Sequence, residues 1–344
     1  MAIAVGMRAL RRTEAGGLVL EGRRNPPTAG AGEALVRVTR VALTRDDLEE
    51  ARKGGGPAVT LGTQFVGRVE KINPVMNGTT SGWEPRRLVG QLVAVQAEIA
   101  CGKCDLCTRG LSAHCRAKVL MGRGGVAGGA AGSGARDGGL ADLVAAPLSC
   151  VVAAPEHVDD DRAVFAATVA AAAHTAQQIR VEGRPYITVL GDGPIGLLTA
   201  QVLARLNASV RVLGRHEHKL ELCAKWGVKH RPLGEAGLRA DQDVVIDCTG
   251  TREGLETALR LVRPRGKVLV KSAPSEAVDV ARVVEGEIEL IGSRGGSLAE
   301  GMALIAREQV DVVSLISRRF KLEQGIEALK AAGQAESLRV LVEV

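Results

Sequence analysis

The pattern of apolar and polar residues changes near Pro155. Before it, short runs that mix apolar with charged residues, such as 33–43 and 65–72, are separated by clusters of Gly, Pro and Asn. Runs of this length bounded by such residues predict strands and turns. The first part of the chain is therefore expected to be rich in β-structure.

After Pro155, an Ala-rich stretch at 159–179 predicts a helix, and strand-like runs then alternate with helical ones. The predicted strands are 186–190, 209–213, 243–247, 267–271 and 288–291. Beyond Gly292 the pattern predicts a helix at 298–308, a short stretch around Ile316, a helix at 322–332 and a final strand at 338–342. Strand and helix in alternation indicate an α/β class with a doubly wound parallel sheet.

Composition narrows the functional classes. The chain has 344 residues, of which 46% are hydrophobic, enough for a large core and two domains. No uninterrupted apolar run of about 18 residues occurs, and the N-terminus lacks a signal-peptide pattern, so we expect a cytoplasmic protein that does not bind membranes. The net charge of +6 is spread among 39 acidic residues with few aromatics, which argues against nucleic acid and leaves a small-molecule substrate.

A glycine-rich turn joins a predicted strand to a predicted helix. Gly191-Asp192-Gly193-Pro194-Ile195-Gly196 follows the strand at 186–190 and precedes an apolar helical run. In this context the first Gly permits the tight turn, the second lets the backbone approach a pyrophosphate, and the third lets the helix pack on the strand. The motif predicts a Rossmann site for a dinucleotide.

The residues at the end of the next predicted strand, 209–213, indicate which dinucleotide the site binds. Enzymes that use NAD place Asp or Glu there to bind the ribose hydroxyls, whereas this chain has Gly214 and Arg215, with Lys219 four residues later. Gly leaves room and Arg215 suits a 2′-phosphate, so NADP is favoured over NAD. The alternatives are that Arg215 and Lys219 are only solvated at a helix start, or that Arg215 stacks on adenine.

Four cysteines fall within fifteen residues, in the pattern CxxCxxCx7C. They are Cys101, Cys104, Cys107 and Cys115. Four thiolates can close a tetrahedron around Zn²⁺ with no open position, which predicts a structural zinc site. An iron–sulfur cluster and plain buried cysteines are the competing interpretations.

The cysteine lobe followed by the glycine turn resembles the zinc-containing alcohol dehydrogenase family of the medium-chain dehydrogenase/reductase superfamily, in particular its sorbitol, threonine and glucose dehydrogenases. Family-like stretches at 138–147, 243–250 and 261–271 extend the resemblance over nearly the whole chain. It implies a GroES-like β-rich domain at 1–154 with the zinc lobe at 101–115, a Rossmann domain at 155–291, and a segment at 292–344 that returns to the first domain. It also implies a homo-oligomer.

The chain departs from this family at the catalytic zinc. Thr44 stands where the family has a Cys ligand, Thr63 and Gln64 replace its His-Glu pair, and 167–169 replaces its Glu-Pro-Leu segment. Neutral hydroxyls and amides are poor Zn²⁺ ligands without charged companions, so we expect no catalytic zinc.

The resemblance therefore implies an NAD(P)(H)-dependent oxidoreductase, preferring NADP(H), that transfers hydride to or from an alcohol, carbonyl or enone. Thr44, Arg45 and Thr63 are candidate hydrogen-bond donors to the reacting oxygen. Asp46 replaces the family's proton-relay Ser or Thr, and burial would raise its pKa. Purely structural roles for these residues remain open. Two other interpretations also remain open. The protein could be a dinucleotide-binding pseudoenzyme that acts as a sensor or structural partner, or it could hold a catalytic zinc through Asp46 or Asp47 with a remote His.

Overall fold

A computed structural model describes residues 6–74, 85–125, 136–179, 183–206 and 208–344. The chain divides into two compact units, Met1–Ala166 with Ile316–Val344, and Ala167–Leu315. The boundaries thus fall later than the sequence boundaries at 154 and 291. The segment that returns to the first unit begins at Ile316, because the helix after Gly292 packs within the second unit.

The strands, in chain order, are β1 (Met7–Arg12), β2 (Leu18–Arg24), β3 (Glu33–Ala42), β4 (Val59–Thr60), β5 (Phe65–Asn73), β6 (Leu92–Val95), β7 (Glu98–Ile99), β8 (Val119–Leu120), β9 (Leu143–Pro147), β10 (Val151–Ala153), β11 (Tyr186–Leu190), β12 (Ser209–Gly214), β13 (Lys229–Pro232), β14 (Gln242–Asp247), β15 (Val262–Val270), β16 (Glu289–Gly292), β17 (Ile316–Lys321) and β18 (Arg339–Glu343). The helices are α1 (Arg45–Ala51), α2 (Asp105–Thr108), α3 (Asp160–Ala163), α4 (Ala166–Gln177), α5 (Pro194–Ala204), α6 (Glu217–Lys225), α7 (Arg252–Leu261), α8 (Ala281–Glu285), α9 (Leu298–Ala306) and α10 (Gly325–Ala332).

The first unit is built on a sheet with the order β10-β6-β5-β3-β18-β17, with β9 also paired to β3, and on a second sheet with the order β2-β1-β4. Val36, Val38 and Val41 of β3 are buried while Arg37 between them is exposed, as expected for a strand with one face on the core. Phe65 lies opposite Val41, so the end of β3 adjoins the start of β5. This register positions the first candidate site.

The second unit is a parallel sheet with the order β13-β12-β11-β14-β15-β16, which confirms the doubly wound prediction. The strand order reverses between β11 and β14. A crevice forms at such a point outside the carboxyl ends of the strands, where ligands of this fold bind. The glycine turn lies at that point, directly after β11.

Among the elements that were not predicted are a hairpin near the N-terminus and an edge strand of the parallel sheet. The hairpin of β1 and β2 precedes residue 33, and the edge strand β13 is formed by Lys-His-Arg-Pro. The first three β13 residues are exposed, so the strand carries no apolar signal and is held by backbone pairing to β12. No helix in the described part of the chain is both long enough and apolar enough to cross a membrane.

A buried ion pair ties β1 to α1. Arg12 and Glu50 are both 0% exposed, and Arg12 Nη2 lies 2.9 Å from Glu50 Oε1. The other polar atoms of the pair also have partners, because Arg12 Nη1 donates to the Thr13 carbonyl at 3.1 Å and Lys53 Nζ lies 2.5 Å from Glu50 Oε2. Such a pair is costly to break by removing one partner, since the other charge is left buried.

We expect Glu50→Leu to lower the free energy of unfolding by about 3–5 kcal/mol, because it leaves the Arg12 guanidinium buried without an anion. The double variant Arg12→Met/Glu50→Leu should recover most of that loss. Denaturant unfolding followed by circular dichroism measures both. Glu49→Leu is the matched control: the Glu49 carboxylate, which pairs with Arg45 and Arg123, is 46% exposed, and the loss there should be at most about 1 kcal/mol. A similar small loss for Glu50→Leu would contradict the assignment.

Candidate functional site

The adjoining ends of β3 and β5 bring two predicted residues together. Thr44 is the N-cap of α1, just after β3, and Thr63 lies just before β5. Their hydroxyl oxygens are 2.9 Å apart, and both side chains are half-buried. The structure thus forms a hydroxyl pair at the positions where the resemblance places two zinc ligands.

A buried carboxylate, Asp47, holds this pair in place. It accepts hydrogen bonds from the Thr44 N–H and hydroxyl, both at 2.8 Å, from the N–H groups of Thr63 at 2.9 Å and Gly62 at 3.1 Å, and from the Thr63 hydroxyl at 3.2 Å. Asp47 is 0% exposed, and burial raises its pKa, although the bonds from Thr44 and Thr63 act against the rise. The sequence analysis gave Asp47 no such role, although Thr44-x-x-Asp47 is a capping-box pattern that signals it.

A buried cation lies beside the same loop. The Arg339 Nη1 of β18 donates to the Leu43 carbonyl at 2.7 Å, and its guanidinium lies 6.0 Å from the centre of the Phe165 ring. Burial lowers the pKa of Arg339 to about 10, against the attraction of Asp47. Arg339 therefore stays charged at neutral pH and favours the ionised form of Asp47.

Two other candidate positions have different surroundings from those expected. Asp46 is not buried: its side chain is 57% exposed and pairs with Arg123 at 2.7 Å. The burial expected for Asp46 belongs to Asp47, because residues 47 and 50 of α1 face inward while 45 and 46 face solvent. Arg45 is likewise exposed and paired with Glu49 at 3.0 Å.

Among the residues that the structure describes, the groups around the hydroxyl pair do not form a Zn²⁺ ligand set. Asp47 supplies one carboxylate, whose oxygens already accept five hydrogen bonds. The Gln64 amide donates to the Val164 carbonyl at 2.6 Å. Tetrahedral zinc in proteins takes thiolate, imidazole and carboxylate ligands, and three of them even where one position stays open.

The four clustered cysteines do form such a set. Their sulfur atoms all lie within 4.8 Å of one another, which makes them, within the described ranges, the one group of at least three His, Cys, Asp or Glu that could hold a metal. Gly102, at φ +72°, makes the turn between the first two. The Cys107 N–H lowers the pKa of Cys104 to about 6, whereas burial and the Cys104 thiol raise that of Cys107 to about 12. Zn²⁺ binding would displace the remaining thiol protons.

The glycine turn has the geometry that a pyrophosphate needs. Gly191 has φ +108°, and a Cβ on Gly196 would lie 2.1 Å from the Gly191 carbonyl oxygen, so neither position tolerates a side chain. A Cβ on Gly193 would meet no atom within 4 Å, which leaves open space for a ligand next to the backbone. No side chain caps the start of α5 at Pro194, so the N–H groups of its first turn remain available to an anion.

Asp192 of the same turn makes a contact that the sequence did not reveal. Its Oδ2 accepts from the N–H groups of Arg215 at 2.6 Å and His216 at 2.7 Å, and His216 Nδ1 lies 3.1 Å from both carboxylate oxygens. Burial acts to raise the pKa of Asp192, but the His216 bonds outweigh it and hold the pKa below its usual value. A Cβ on Gly214 would lie 2.5 Å from Asp192 Oδ2. The carboxylate therefore fills the space that a side chain at the end of β12 would need.

The two predicted phosphate-binding cations differ in exposure. Arg215 is exposed directly after β12, and its backbone is fixed by Asp192. Lys219 is 4% exposed and lies with Leu220 and Cys223 among the buried residues of α6. Its ammonium is therefore less accessible to a ligand than the guanidinium of Arg215.

Two family models match the chain, one over the part that contains the hydroxyl pair and one over the part that contains the end of the glycine turn. Residues 30–156 match the alcohol dehydrogenase GroES-like domain, and residues 194–313 match the zinc-binding dehydrogenase model. The first range contains the hydroxyl pair and the cysteine lobe. The second contains the helix of the glycine turn and the end of β12.

Curated proteins and solved structures agree with the family models. L-threonine 3-dehydrogenase of Streptomyces coelicolor is 27% identical over 92% of this chain and 93% of its own length. A protein described as a zinc-binding dehydrogenase from Sinorhizobium meliloti 1021, solved bound to NADP, superposes with a TM-score of 0.84 at 24% identity, covering 98% of this chain and 99% of the other. A protein described as a short chain alcohol dehydrogenase from Escherichia coli CFT073, solved with NADH, has the same TM-score and coverage at 22% identity. The chain belongs to the zinc-containing alcohol dehydrogenase family of the medium-chain dehydrogenase/reductase superfamily, a family of NAD(P)-dependent oxidoreductases.

Proposed function

We propose that this protein is an NADP(H)-dependent oxidoreductase that transfers hydride between the cofactor and a small alcohol, carbonyl or enone without a catalytic zinc. The observation that carries the proposal is the Thr44–Thr63 hydroxyl pair, held by a buried carboxylate in a family whose members have zinc ligands at these positions. The geometry supports hydrogen-bond donation to a substrate oxygen in place of metal coordination.

The cofactor assignment rests on the glycine turn and the residue after β12. Gly191, Gly193, Pro194, Ile195 and Gly196 form the turn and the helix start that receive the pyrophosphate. Gly214 leaves the end of β12 without a ribose-binding acid, and the exposed Arg215 offers a planar donor for a 2′-phosphate. Lys219 is a weaker candidate because it is buried.

We infer from the hydrogen-bond partners of the two hydroxyls which threonine donates to the substrate. Thr44 donates to Asp47 at 2.8 Å, a good hydrogen bond. Thr63 has the longer contact with Asp47, 3.2 Å, and can instead point its proton at Thr44 or at a ligand. Thr63 is therefore the donor to the substrate, Thr44 is its neighbour, and Asp47 fixes the positions of both.

A nicotinamide dinucleotide held by the glycine turn and Arg215 would supply the hydride, and hydride transfer to a carbonyl carbon leaves negative charge on the substrate oxygen. Thr63 stabilises that charge by donating its hydroxyl proton in a hydrogen bond. The oxygen then takes up a proton from solvent to complete the alcohol. Arg339 contributes a positive charge beside Asp47 and Leu43, which favours the ionised form of Asp47 against the effect of burial on its pKa.

The cysteine lobe has a separate role in this proposal. Cys101, Cys104, Cys107 and Cys115 would hold a structural zinc with no open coordination position. The metal would fix the loop around α2, a helix of only four residues. It takes no part in hydride transfer.

Arg215→Ala should weaken NADPH binding by about 10- to 100-fold, because a charge-assisted bidentate contact to phosphate is lost. NADH binding should change by less than about 3-fold, since NADH carries no 2′-phosphate. Fluorescence titration of both cofactors measures this. Arg252→Ala, in an exposed pair with Glu256 on α7, is the control. Equal losses for both cofactors would mean that Arg215 stacks on adenine instead.

Thr63→Ala should reduce kcat/KM by about 10²- to 10³-fold, the usual effect of removing one donor to a developing oxyanion. The dissociation constant of NADPH should stay the same. The measurement is NADPH consumption with a panel of aldehydes, ketones and enones, and NADP⁺ reduction with alcohols. Thr63→Ser keeps the hydroxyl and should retain most activity. Tight NADPH binding without turnover of any panel member would favour the dinucleotide-binding sensor.

Purified protein should contain about one zinc per chain, and Cys104→Ser should remove it and lower the melting temperature, because structural zinc contributes directly to folding. Cys223→Ser, which changes a buried cysteine of the second unit, should keep its zinc. Plasma mass spectrometry gives the metal content. A second zinc per chain would contradict the zinc-free mechanism, and iron in place of zinc would indicate a cluster in the cysteine lobe.

A further inference from the structure

Lys271 follows β15 at the carboxyl edge of the parallel sheet. Its N–H donates to the Asp247 carbonyl at 2.8 Å, which places it beside the end of β14. Ser293 follows β16 at the same edge, where its N–H donates to the Val270 carbonyl at 3.0 Å. Lys271 and Ser293 thus lie where ligands of a doubly wound sheet bind.

The Lys271 ammonium has uncharged partners. Its Nζ lies 3.3 Å from the Ser293 hydroxyl, which lies 3.1 Å from the Thr175 hydroxyl of α4. Both hydroxyls are buried, and no described carboxylate forms an ion pair with Lys271. A half-buried cation with no counter-ion is unusual, because burial penalises the charged form.

The titratable groups near Lys271 are a thiol and a carboxyl group, and neither forms an ion pair with it. Burial lowers the pKa of Lys271 to about 8, while burial raises that of the adjoining Cys248 thiol to about 12, so the thiol is neutral. Asp247 is 0% exposed, burial raises its pKa, and its Oδ1 accepts from the Thr249 hydroxyl and N–H. Ser293 and Thr175 do not ionise in this range.

The sheet assigns Lys271 to the nicotinamide half of the cofactor. A Rossmann sheet consists of two mononucleotide-binding halves on either side of the strand reversal. The glycine turn after β11 and Arg215 after β12 take the pyrophosphate and the adenosine half, which leaves the ends of β14 to β16 for the nicotinamide. Lys271 is the cation that those ends present with no anionic partner among the described residues.

The two redox states of nicotinamide differ in charge. The oxidised ring is a pyridinium cation, and the reduced ring is neutral. A nearby ammonium repels the former and has no such effect on the latter. A charged side chain changes the ratio of the affinities for the oxidised and reduced cofactor only if it interacts differently with the two forms, as an ammonium does here.

We propose that Lys271 discriminates between the redox states of the bound nicotinamide, so that at neutral pH this protein binds the reduced dinucleotide more tightly than the oxidised one. The inference rests on the dinucleotide binding proposed above. It makes Lys271 a residue that acts on the cofactor by charge, with Ser293 and Thr175 fixing its position.

The pH dependence follows from the charge on Lys271. Below its pKa of about 8 the ammonium is protonated and opposes the oxidised ring. As pH rises through that value the proton leaves, and the affinity for the oxidised form should increase and then level off. The affinity for the reduced form should change little over the same range.

Calorimetric titration with NADP⁺ and NADPH, from below to above the Lys271 pKa of about 8, tests the inference in the purified chain. At neutral pH, Lys271→Met should bind NADP⁺ about tenfold or more tightly than wild type, NADPH binding should change by less than about threefold, and the pH dependence should disappear. Lys271→Arg should bind NADP⁺ weakly at every pH tested. Lys267→Met, which removes a half-exposed cation of β15 paired with Glu289, should behave like wild type.

Thermal unfolding should show Lys271→Met at least as stable as wild type, since it removes a poorly solvated charge. Equal weakening of both cofactors by Lys271→Met would overturn the inference, because Lys271 would then only anchor the dinucleotide. A wild-type ratio of NADP⁺ to NADPH affinity that does not change with pH would also overturn it, with the proposed function intact. Failure of wild type to bind NADPH or NADH would overturn both proposals.

Discussion

The hydrogen bonds of Asp47 are the constraint on which the first unit's site depends. From the first turn of α1, the Asp47 carboxylate binds Thr44, which follows β3. It also binds Gly62 and Thr63, which precede β5. Because Asp47 is fully buried, its five bonds replace the water that it loses, and each of the donor groups is fixed in turn. The spacing of the two threonine hydroxyls follows from this arrangement.

In the second unit, a buried carboxylate likewise fixes a loop: Asp192 of the glycine turn accepts hydrogen bonds from the backbone after β12. It binds the backbone after β12 much as Asp47 binds the backbone before β5. In both places an acid fixes the conformation of a loop beside a strand end through local hydrogen bonds. The side chains proposed to contact ligands lie next to that loop. The cysteine lobe differs, because its thiols are arranged for a metal that would link residues across the loop.

The sequence predicted the parts of this structure that local signals determine. The parallel strands β11, β12, β14 and β16 and the glycine turn were found because each combines an apolar run with a helix or turn of fixed spacing. The exposed edge strand β13 lacked such a signal. The cysteines were also found, since four ligands within fifteen residues must lie close together.

The sites were predicted less completely, because their key contacts join distant segments. The approach of Thr44 to Thr63 depends on the register of β3 and β5, which residue types alone do not fix. The choice between Asp46 and Asp47 depended on which face of α1 is buried, and the sequence analysis placed the buried acid one position too early. Lys271 was not predicted as a functional residue, because a lysine at a strand end gives no signal in the sequence. Its hydroxyl partners and its lack of a described counter-ion appear only in the structure.

The contact between Asp192 and Gly214 also restricts which residues position 214 can hold. A side chain there, such as the acid of an NAD-type ribose site, cannot fit while Asp192 fills the same volume. Removing Asp192 to make room would also remove the carboxylate that binds the backbone of Arg215 and His216. An acid at the end of β12 and the ordered loop after it are therefore mutually exclusive in this chain.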